Sequence, residues 1–308
     1  MRSSYRSLIA DNARWDAFEL RPSDIVISTP PKCGTTWTQM LCALLIFDGP
    51  DFPMPLNKMS VWVDQNIRSI ADVCSLYAAQ NHRRFIKTHT PLDGLPIRDD
   101  VTYLVVGRDP RDVMISMEHH LENMDMERVL ALRGQAVGND DLATLPARPL
   151  ASGDPGERFR RFVTTTEHSG PANLTTVLHH LQTAWERRHD HNVVLCHYGD
   201  YLADLPGEIT RLATALGYSI TPERAVQFAS EAGIDRMRAN ADQTAPNAQD
   251  IWRDHTAFFR TGSSGEWRER VTDDDLRAYD AVVRNITSPD LADWVHNGRL
   301  GSGINPES

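Results

Sequence analysis

The chain has 308 residues, of which 41% are hydrophobic, and its 32 basic and 42 acidic residues give a net charge of −10 at neutral pH. This composition predicts a globular chain with a substantial core, and its acidic balance argues against nucleic-acid binding, which normally requires a basic surface. Four widely spaced cysteines, with no signal-peptide core and no long apolar run, argue against disulfides, secretion and a membrane span, and favour a cytoplasmic location.

Short apolar runs alternate with helical patterns along the chain. The runs predict strands at 24–29, 84–88, 101–107 and 192–198. Apolar residues at helical spacing, together with helix start signals, predict helices at 34–47, 109–123, 173–189, 206–216, 222–232 and 274–286. This alternation predicts one doubly wound α/β domain over residues 1–300, with helices flanking a central, mostly parallel sheet. Ligands of such a domain bind at the carboxyl ends of the strands.

The turn after the first predicted strand has the features of a phosphate-binding loop. Residues 30–37 read Pro-Pro-Lys-Cys-Gly-Thr-Thr-Trp and lead directly into the first predicted helix. Backbone N–H groups and the helix dipole would face a bound anion there, and Lys32 would add a full charge. The residues expected to form this site are Lys32, Cys33, Gly34, Thr35, Thr36 and Trp37.

Two details restrict the chemistry of this turn. In the usual nucleoside-triphosphate loop the lysine follows the last glycine, whereas Lys32 precedes Gly34, which disfavours a triphosphatase. Cys33 is interpreted as a small residue of the turn rather than as a nucleophile. An ordinary strand–turn–helix connection would also contain Pro, Gly and Thr, but it does not account for a lysine, two threonines and an indole at one helix start.

The second predicted strand ends in Lys-Thr-His, which places Lys87 and His89 on the same face of the strand. A histidine in this position can serve as a general base, because a neighbouring cation lowers its pKa and favours the neutral, proton-accepting form. The alternative is a histidine that only hydrogen-bonds a loop carbonyl. The adjacent lysine and phosphate turn favour the base.

Two further segments could bind a second phosphate group. Arg108 follows the third predicted strand, and Ser116 lies two turns into the next helix, so a guanidinium and a hydroxyl could hold one anion together. Near the carboxyl end of the chain, Arg260 and Gly262 open a glycine-containing loop whose backbone N–H groups could bind an anion. An ion pair between Arg108 and a neighbouring aspartate is the alternative for the first segment.

Residues 125–170 are rich in glycine and proline and predict a long loop or a lid on the substrate side, with a disordered excursion as the alternative. Together with residues 50–80, this segment is expected to shape the acceptor pocket. The adjacent histidines at 119–120 and 179–180 are interpreted as exposed residues rather than ligands, and no metal site is predicted. Residues 301–308 are expected to be frayed.

Taken together, these segments resemble the sulfotransferases that use 3′-phosphoadenosine-5′-phosphosulfate (PAPS). The family's P-K-[SC]-G-T-T-W loop is similar to residues 31–37, and its K-T-H-x-P element to residues 87–91. Its R-[ND]-P-[RK]-D…S element is similar to residues 108–116, and its R-K-G-x-x-G-[DE]-W loop to residues 260–267, apart from one position. The resemblance is to the soluble branch, some bacterial members of which act on glycolipids.

The resemblance implies a reaction and a set of roles. The enzyme would transfer a sulfuryl group from PAPS to an acceptor hydroxyl of a small molecule or glycolipid, and would release adenosine 3′,5′-bisphosphate (PAP), without a metal. His89 would be the base, supported by Lys87, and Lys32 would stabilise the leaving phosphate. The residues implied to bind the donor are Lys32, Cys33, Gly34, Thr35, Thr36, Trp37, Arg108, Ser116, Tyr198, Arg260, Thr261 and Gly262.

Two departures from the family pattern carry consequences. Thr261 stands where the family usually has a lysine, which predicts weaker binding of the 3′-phosphate. Asp273 and Arg277 break the family's dimer segment, which leaves the oligomeric state open. A nucleotide-dependent kinase and a non-catalytic nucleotide-binding protein are the alternatives. The kinase lacks a Walker lysine and a magnesium-binding set, and the binding protein does not account for both Lys32 and His89.

Overall fold

The computed structural model describes residues 2–145, 154–166, 172–246, 250–260 and 262–306. In these residues one sheet of four parallel strands has the order β2-β1-β3-β4. The strands are Ile25–Ser28 (β1), Phe85–Thr88 (β2), Thr102–Gly107 (β3) and Val193–His197 (β4). The four predicted strands and the α/β class are confirmed.

Helices flank this sheet and connect its strands. In chain order they are Thr35–Phe47 (α1), Leu56–Met59 (α2), Ile70–Ala78 (α3), Pro110–Asn123 (α4), Met126–Ala136 (α5), Pro155–Thr164 (α6), Leu174–Trp185 (α7), Tyr198–Ala203 (α8), Leu205–Ala215 (α9), Pro222–Glu231 (α10), Ile234–Ala239 (α11), Ala241–Thr244 (α12), Asp273–Ile286 (α13) and Pro289–Ser302 (α14). None of the described helices is long and apolar enough to cross a membrane.

The strands are buried on both faces, as expected for a parallel sheet that helices cover on two sides. Successive side chains point to opposite faces. Val26 and Tyr103 accordingly belong to one hydrophobic core, whereas Ile27 and Leu104 belong to the other. The continuous apolar runs that predicted the strands follow from this two-sided burial.

All six predicted helices are present, with one shift of boundary. The helix predicted to reach residue 189 ends at Trp185, because the chain tightens there into shorter turns, with the Arg187 N–H donating to the Ala184 carbonyl at 3.0 Å. The last helix, Pro289–Ser302, was not predicted. It includes two residues of the tail that was expected to be frayed.

Residues 125–170 were predicted to form a long loop or a lid, and much of their described part is helical rather than loop. Helices α5 and α6 lie within it, and the side chains of Asp125 and Asp154 cap them by accepting backbone hydrogen bonds. Proline at a first helical position is compatible with a helix, so Pro155 in the first turn of α6 does not indicate a loop. Residues 146–153 and 167–170 lie outside the described residues, so the proposed lid is not tested there.

The strand order places a topological switch point beside β1. The chain moves from β1 to β2 on one side and then crosses to β3 on the other side. Loops that leave the carboxyl ends of β1 and β3 therefore diverge and leave a crevice between them, where open α/β sheets bind ligands. The predicted phosphate turn follows β1, and Arg108 follows β3.

Candidate active site

A cavity of about 370 Å³ opens at the carboxyl edge of the sheet. It brings together most of the side chains that the sequence predicted for the site. Those that line it are Lys32, Gly34, Thr35, Thr36, Trp37, His89, Arg108, Ser116, Tyr198, Arg260 and Gly262. Cys33 and Lys87 lie just behind its wall, buried in the interior. Thr261 lies outside the described residues.

The phosphate turn requires an unusual backbone. Gly34 has a φ of +99°, a conformation in which a Cβ atom would also meet the ring of Tyr198 at 3.1 Å. Lys32 adopts a positive φ of +67° as well, which is uncommon for a residue with a side chain and marks a locally strained, often functional position. Helix α1 begins directly after Gly34, so its first backbone N–H groups face the cavity end of the turn.

Arg108 joins the two loops that were predicted to bind separate phosphates. Its guanidinium donates to the carbonyl oxygen of Lys32 at 3.0 Å and to that of Ser263 at 3.2 Å. It also lies 4.2 Å from the centre of the Tyr198 ring. Among the described residues its Nε has no hydrogen-bond partner although it is buried. The alternative ion pair with Asp109 or Asp112 is not found in the described part of the chain: Asp109 pairs with Arg111 at 2.7 Å, and Asp112 accepts from the backbone N–H of Gly265.

The loop that begins at Arg260 is fixed by two carboxylates. Glu266 accepts two hydrogen bonds from the Arg260 guanidinium, at 2.8 and 2.6 Å. Asp112 on α4 accepts one from the backbone N–H of Gly265 at 2.8 Å. Together with the bond from Arg108 to the Ser263 carbonyl, these contacts hold the glycine loop next to Arg108.

Trp37 lies among aromatic side chains at the start of α1. Its ring makes edge contacts with Tyr198 and Tyr201, with centres 5.4 and 5.5 Å apart. The indole Nε1 of Trp37 is buried and has no partner among the described residues. An unpaired buried N–H is costly, and an apolar ring beside an unsatisfied donor suits a planar heterocycle.

The Lys32 side chain reaches the centre of the cavity. Its Nζ lies 3.4 Å from His120 Nδ1 and 4.4 Å from the centre of the Phe258 ring. Burial, with a further contribution from the charge of Arg108, lowers the pKa of Lys32 to about 7. The amino group is therefore close to its titration point at neutral pH, and a bound anion would favour its charged form.

His89 is oriented for proton acceptance. Its Nδ1 lies 2.7 Å from the carbonyl oxygen of Thr29. A backbone carbonyl can only accept, so we assign the proton to Nδ1 and the lone pair to Nε2. Burial lowers the pKa of His89 to about 4, and the charges of Lys87 and Lys32 act in the same direction. The imidazole is therefore neutral and able to accept a proton at neutral pH.

Lys87 is buried and does not line the cavity. Its side chain is 2% exposed, its Nζ lies 3.5 Å from Gln39 Oε1, and it is 4.9 Å from the centre of the Trp62 ring. The same indole contacts His89, with ring centres 4.4 Å apart. Burial lowers the pKa of Lys87 to about 7.

The part of the cavity beyond His89 and Lys32 has two kinds of wall. Apolar side chains come from α4 and from the 250–258 segment, including Met117, Leu121, Met124, Ile251 and Trp252. A more polar wall is formed by the amino-terminal residues 5–10, by Trp62, Asp64 and Gln65 from the 50–80 region, and by α7. In the described part of 125–170, Val129 reaches the cavity.

Three of the four adjacent histidines that were interpreted as exposed line the cavity instead. His120 and His179 line the cavity, and so does His180, which is 3% exposed with its Nε2 2.9 Å from Ser28 Oγ. The position of His120 could have been recognised from its sequence spacing, because it shares the apolar stripe of α4 with Met117 and Met124. The amino-terminal wall has no comparable sequence signal, because residues 5–10 reach the site only through tertiary contacts.

The remaining predictions concern reactivity and metals. Burial raises the pKa of the Cys33 thiol to about 12, so the group is protonated at neutral pH, which agrees with a packing role. Within the described ranges no group of three or more His, Cys, Asp or Glu side chains could hold a metal ion.

The comparisons with known proteins agree on the family. The family model of the sulfotransferase domain matches residues 22–295. Glycolipid sulfotransferases of Mycobacterium bovis and Mycobacterium tuberculosis are each 46% identical, over 97% of this chain and 96% of their own length. The structure of a mouse sulfotransferase, SULT7A1 complexed with PAP, superposes with a TM-score of 0.67 at 20% identity, over 92% of this chain and 91% of that one. That structural likeness shows the fold.

Proposed function

This chain belongs to the sulfotransferase family, and we propose that it transfers the sulfuryl group of PAPS to a hydroxyl group of a glycolipid. The acceptor class rests on the two mycobacterial relatives, which are named for it and are similar along nearly their whole length. The observation that carries the donor assignment is the position of Arg108, which bonds the Lys32 turn and the Arg260 loop at once. A ligand with phosphates at two positions fits between those loops.

The donor side fits a nucleotide with a 5′- and a 3′-phosphate. The backbone N–H groups of residues 33–36 and the threonine hydroxyls would hold the 5′-phosphate at the start of α1. The guanidinium groups of Arg108 and Arg260, with the Ser116 hydroxyl, would hold the 3′-phosphate. Trp37 would stack on the adenine, and Tyr198 would close the same side. With Thr261 in place of lysine, one charge fewer faces the 3′-phosphate, and a reduced donor affinity stays a prediction.

Bound PAPS supplies an activated sulfuryl group. By analogy with phosphoryl transfer, we expect a loose transition state, in which positioning and charge neutralisation contribute most. Lys32 lies where it can neutralise charge that develops on the leaving phosphate, a contribution of the kind that fixed cations make in other transfer enzymes. The backbone N–H groups of the turn would also stabilise this negative charge.

The acceptor hydroxyl would lose its proton to Nε2 of His89. General-base catalysis of this kind typically contributes about 10²–10⁴-fold. Lys87 would act indirectly, since its amino group packs on Trp62 and its charge adds to the burial that lowers the pKa of His89. We propose no metal in this reaction. We also propose a cytoplasmic location, which the free thiols of the four cysteines support.

The test is transfer of radiolabelled sulfur from PAPS to defined acceptors. Purified protein is incubated with labelled PAPS and with a glycolipid, a phenol, a steroid or a free sugar in parallel. We expect label in the glycolipid above all. Label only in the phenol or steroid would keep the donor chemistry and reject the acceptor class. Transfer of phosphate from ATP instead would reject the proposal.

A further inference from the structure

His120 is a cavity residue that the roles described above leave unused. It lies on α4 one helical turn after Ser116, so the two side chains share a face of the helix. The face is turned toward the cavity, and both residues line it. An imidazole in this position lies on the border between the donor side and the acceptor side.

Aromatic contacts fix the ring of His120. Its centre is 4.7 Å from that of Trp252 and 6.2 Å from that of Phe258. Trp252 and Phe258 also contact one another, at 5.5 Å, and the Trp252 indole donates to the carbonyl oxygen of Pro246 at 3.0 Å. The imidazole therefore has little freedom to turn, and its Nδ1 keeps a defined direction.

The same group of rings receives the amino group of Lys32. One contact is the long hydrogen bond of 3.4 Å to His120 Nδ1, and the other is the approach to the Phe258 face at 4.4 Å. A lysine side chain has four rotatable bonds and gains from contacts that restrict them. A hydrogen-bond acceptor and an aromatic face together favour one position of the amino group.

We propose that His120 and Phe258 are positioning residues, which hold the Lys32 amino group at the point where sulfuryl transfer takes place. This inference rests on the proposed function, because it assigns Lys32 to the leaving phosphate. His120 acts through Lys32, from the side of the cavity that faces the acceptor. It does not exchange a proton with the acceptor.

The test is a double-mutant cycle in the full-length protein. His120→Phe keeps an aromatic ring against Trp252 and removes the acceptor nitrogen, whereas His120→Gln keeps an acceptor. With saturating donor, we expect His120→Phe to lower kcat about tenfold, the lower end of the range for hydrogen bonds to charged groups. The KM for the acceptor should change little, and His120→Gln should recover part of kcat. His119→Phe, the same change at the adjacent position outside the cavity, is the matched control.

The cycle separates action through Lys32 from direct contact with the acceptor. In a Lys32→Met background, His120→Phe should have almost no further effect on the remaining turnover. A loss of the same size in both backgrounds would overturn the proposal, and so would unchanged kcat in the single variant. With either of these results, sulfuryl transfer by the wild-type protein would still support the proposed function.

A second readout does not depend on turnover. The nitrogen-15 resonance of His120 Nδ1 reports whether that atom accepts a hydrogen bond. We expect it to shift in Lys32→Met, while the resonances of His119 stay where they are. An unchanged His120 resonance would contradict the contact itself, even if the enzyme showed no transfer to any acceptor tried.

Discussion

The guanidinium of Arg108 donates a hydrogen bond to the carbonyl oxygen of Lys32 at 3.0 Å, and this contact ties the third strand to the phosphate turn of the first. A second bond, to Ser263 at 3.2 Å, extends the connection to the carboxyl-terminal loop. One side chain thus connects two loops that lie far apart in the sequence and that we propose bind the two phosphates. A ligand that carries two phosphates would be recognised by the spacing of these loops.

We expect Arg108→Met to weaken binding of PAP about 10–100-fold, because a charge-assisted contact and the bond between the loops are lost together. Isothermal calorimetry with PAP measures this directly. Arg111→Met, which changes the arginine that pairs with Asp109, is the control with the same chemistry. Equal losses in the two variants would mean that Arg108 acts only through the stability of the fold.

His89→Ala should lower kcat about 10²–10⁴-fold, the range for loss of a general base. Binding of PAP should stay within about twofold, because we assign His89 to the acceptor hydroxyl and not to the phosphates. His191→Ala changes a distant histidine, whose ring contacts the Asp99 carbonyl, and serves as the control. If His89→Ala turned over at nearly the wild-type rate, His89 would not be the general base.

The affinity for PAP should fall as the pH rises above about 7. The pKa of Lys32 is lowered to about 7, so the free protein loses this charge in that range. Binding of an anion then requires uptake of a proton. Affinity would fall by up to about tenfold for each pH unit between 7.5 and 9. Titration of PAP at several pH values checks this.

Lys32→Met provides the comparison for that slope. The variant should bind PAP more weakly at pH 7 and should lack the part of the pH dependence that Lys32 causes. The pKa of Lys87 is also lowered to about 7, and this lysine is still present in the variant. An identical slope in both proteins would assign the titration to Lys87 or to another group.

Lys87→Met should raise the stability of the protein while it lowers activity. The pKa of Lys87 is depressed by burial, so the unfolded state binds its proton more tightly than the folded state does. Below the pKa of about 10.4 of a free lysine this difference opposes folding, and the penalty grows as the pH falls toward 7. Replacement by methionine should remove it, a gain of roughly 1 kcal/mol at pH 7.

Thermal unfolding at pH 7 and at pH 10 measures this effect. The gain in Tm should be larger at pH 7 than at pH 10, because removing the proton of Lys87 on folding costs less free energy as the pH approaches the value of about 10.4 of a free lysine. A lower Tm of the variant at both values would show that the contacts of Lys87 with Gln39 and Trp62 outweigh the cost of burying its amino group.

The sequence was informative wherever local chemistry determines structure. The four strands are short apolar runs because both of their faces are buried, and Gly34 is required by a backbone angle that few other residues adopt. Most of the predicted donor side consists of such local motifs, which follow β1, β3 and β4. Their positions could therefore be predicted before the fold was known.

The acceptor side could not be predicted in the same way, because distant segments form it through tertiary contacts. The amino-terminal wall is held in place by bonds such as that from the buried Arg133 to the Leu8 carbonyl, at 2.9 Å. No local pattern reports such a contact. His180 was missed because histidine is compatible with both exposed and buried helix faces, and only packing decides between them.

A crystal structure of the protein in complex with PAP tests the central claim most directly. We predict that the 5′-phosphate binds to the backbone N–H groups of residues 33–36, with Lys32 beside it. This arrangement places the 3′-phosphate between Arg108 and Arg260, and the adenine against Trp37. Density for PAP at any other place, or a reversed nucleotide with its 3′-phosphate in the Lys32 turn, would contradict it.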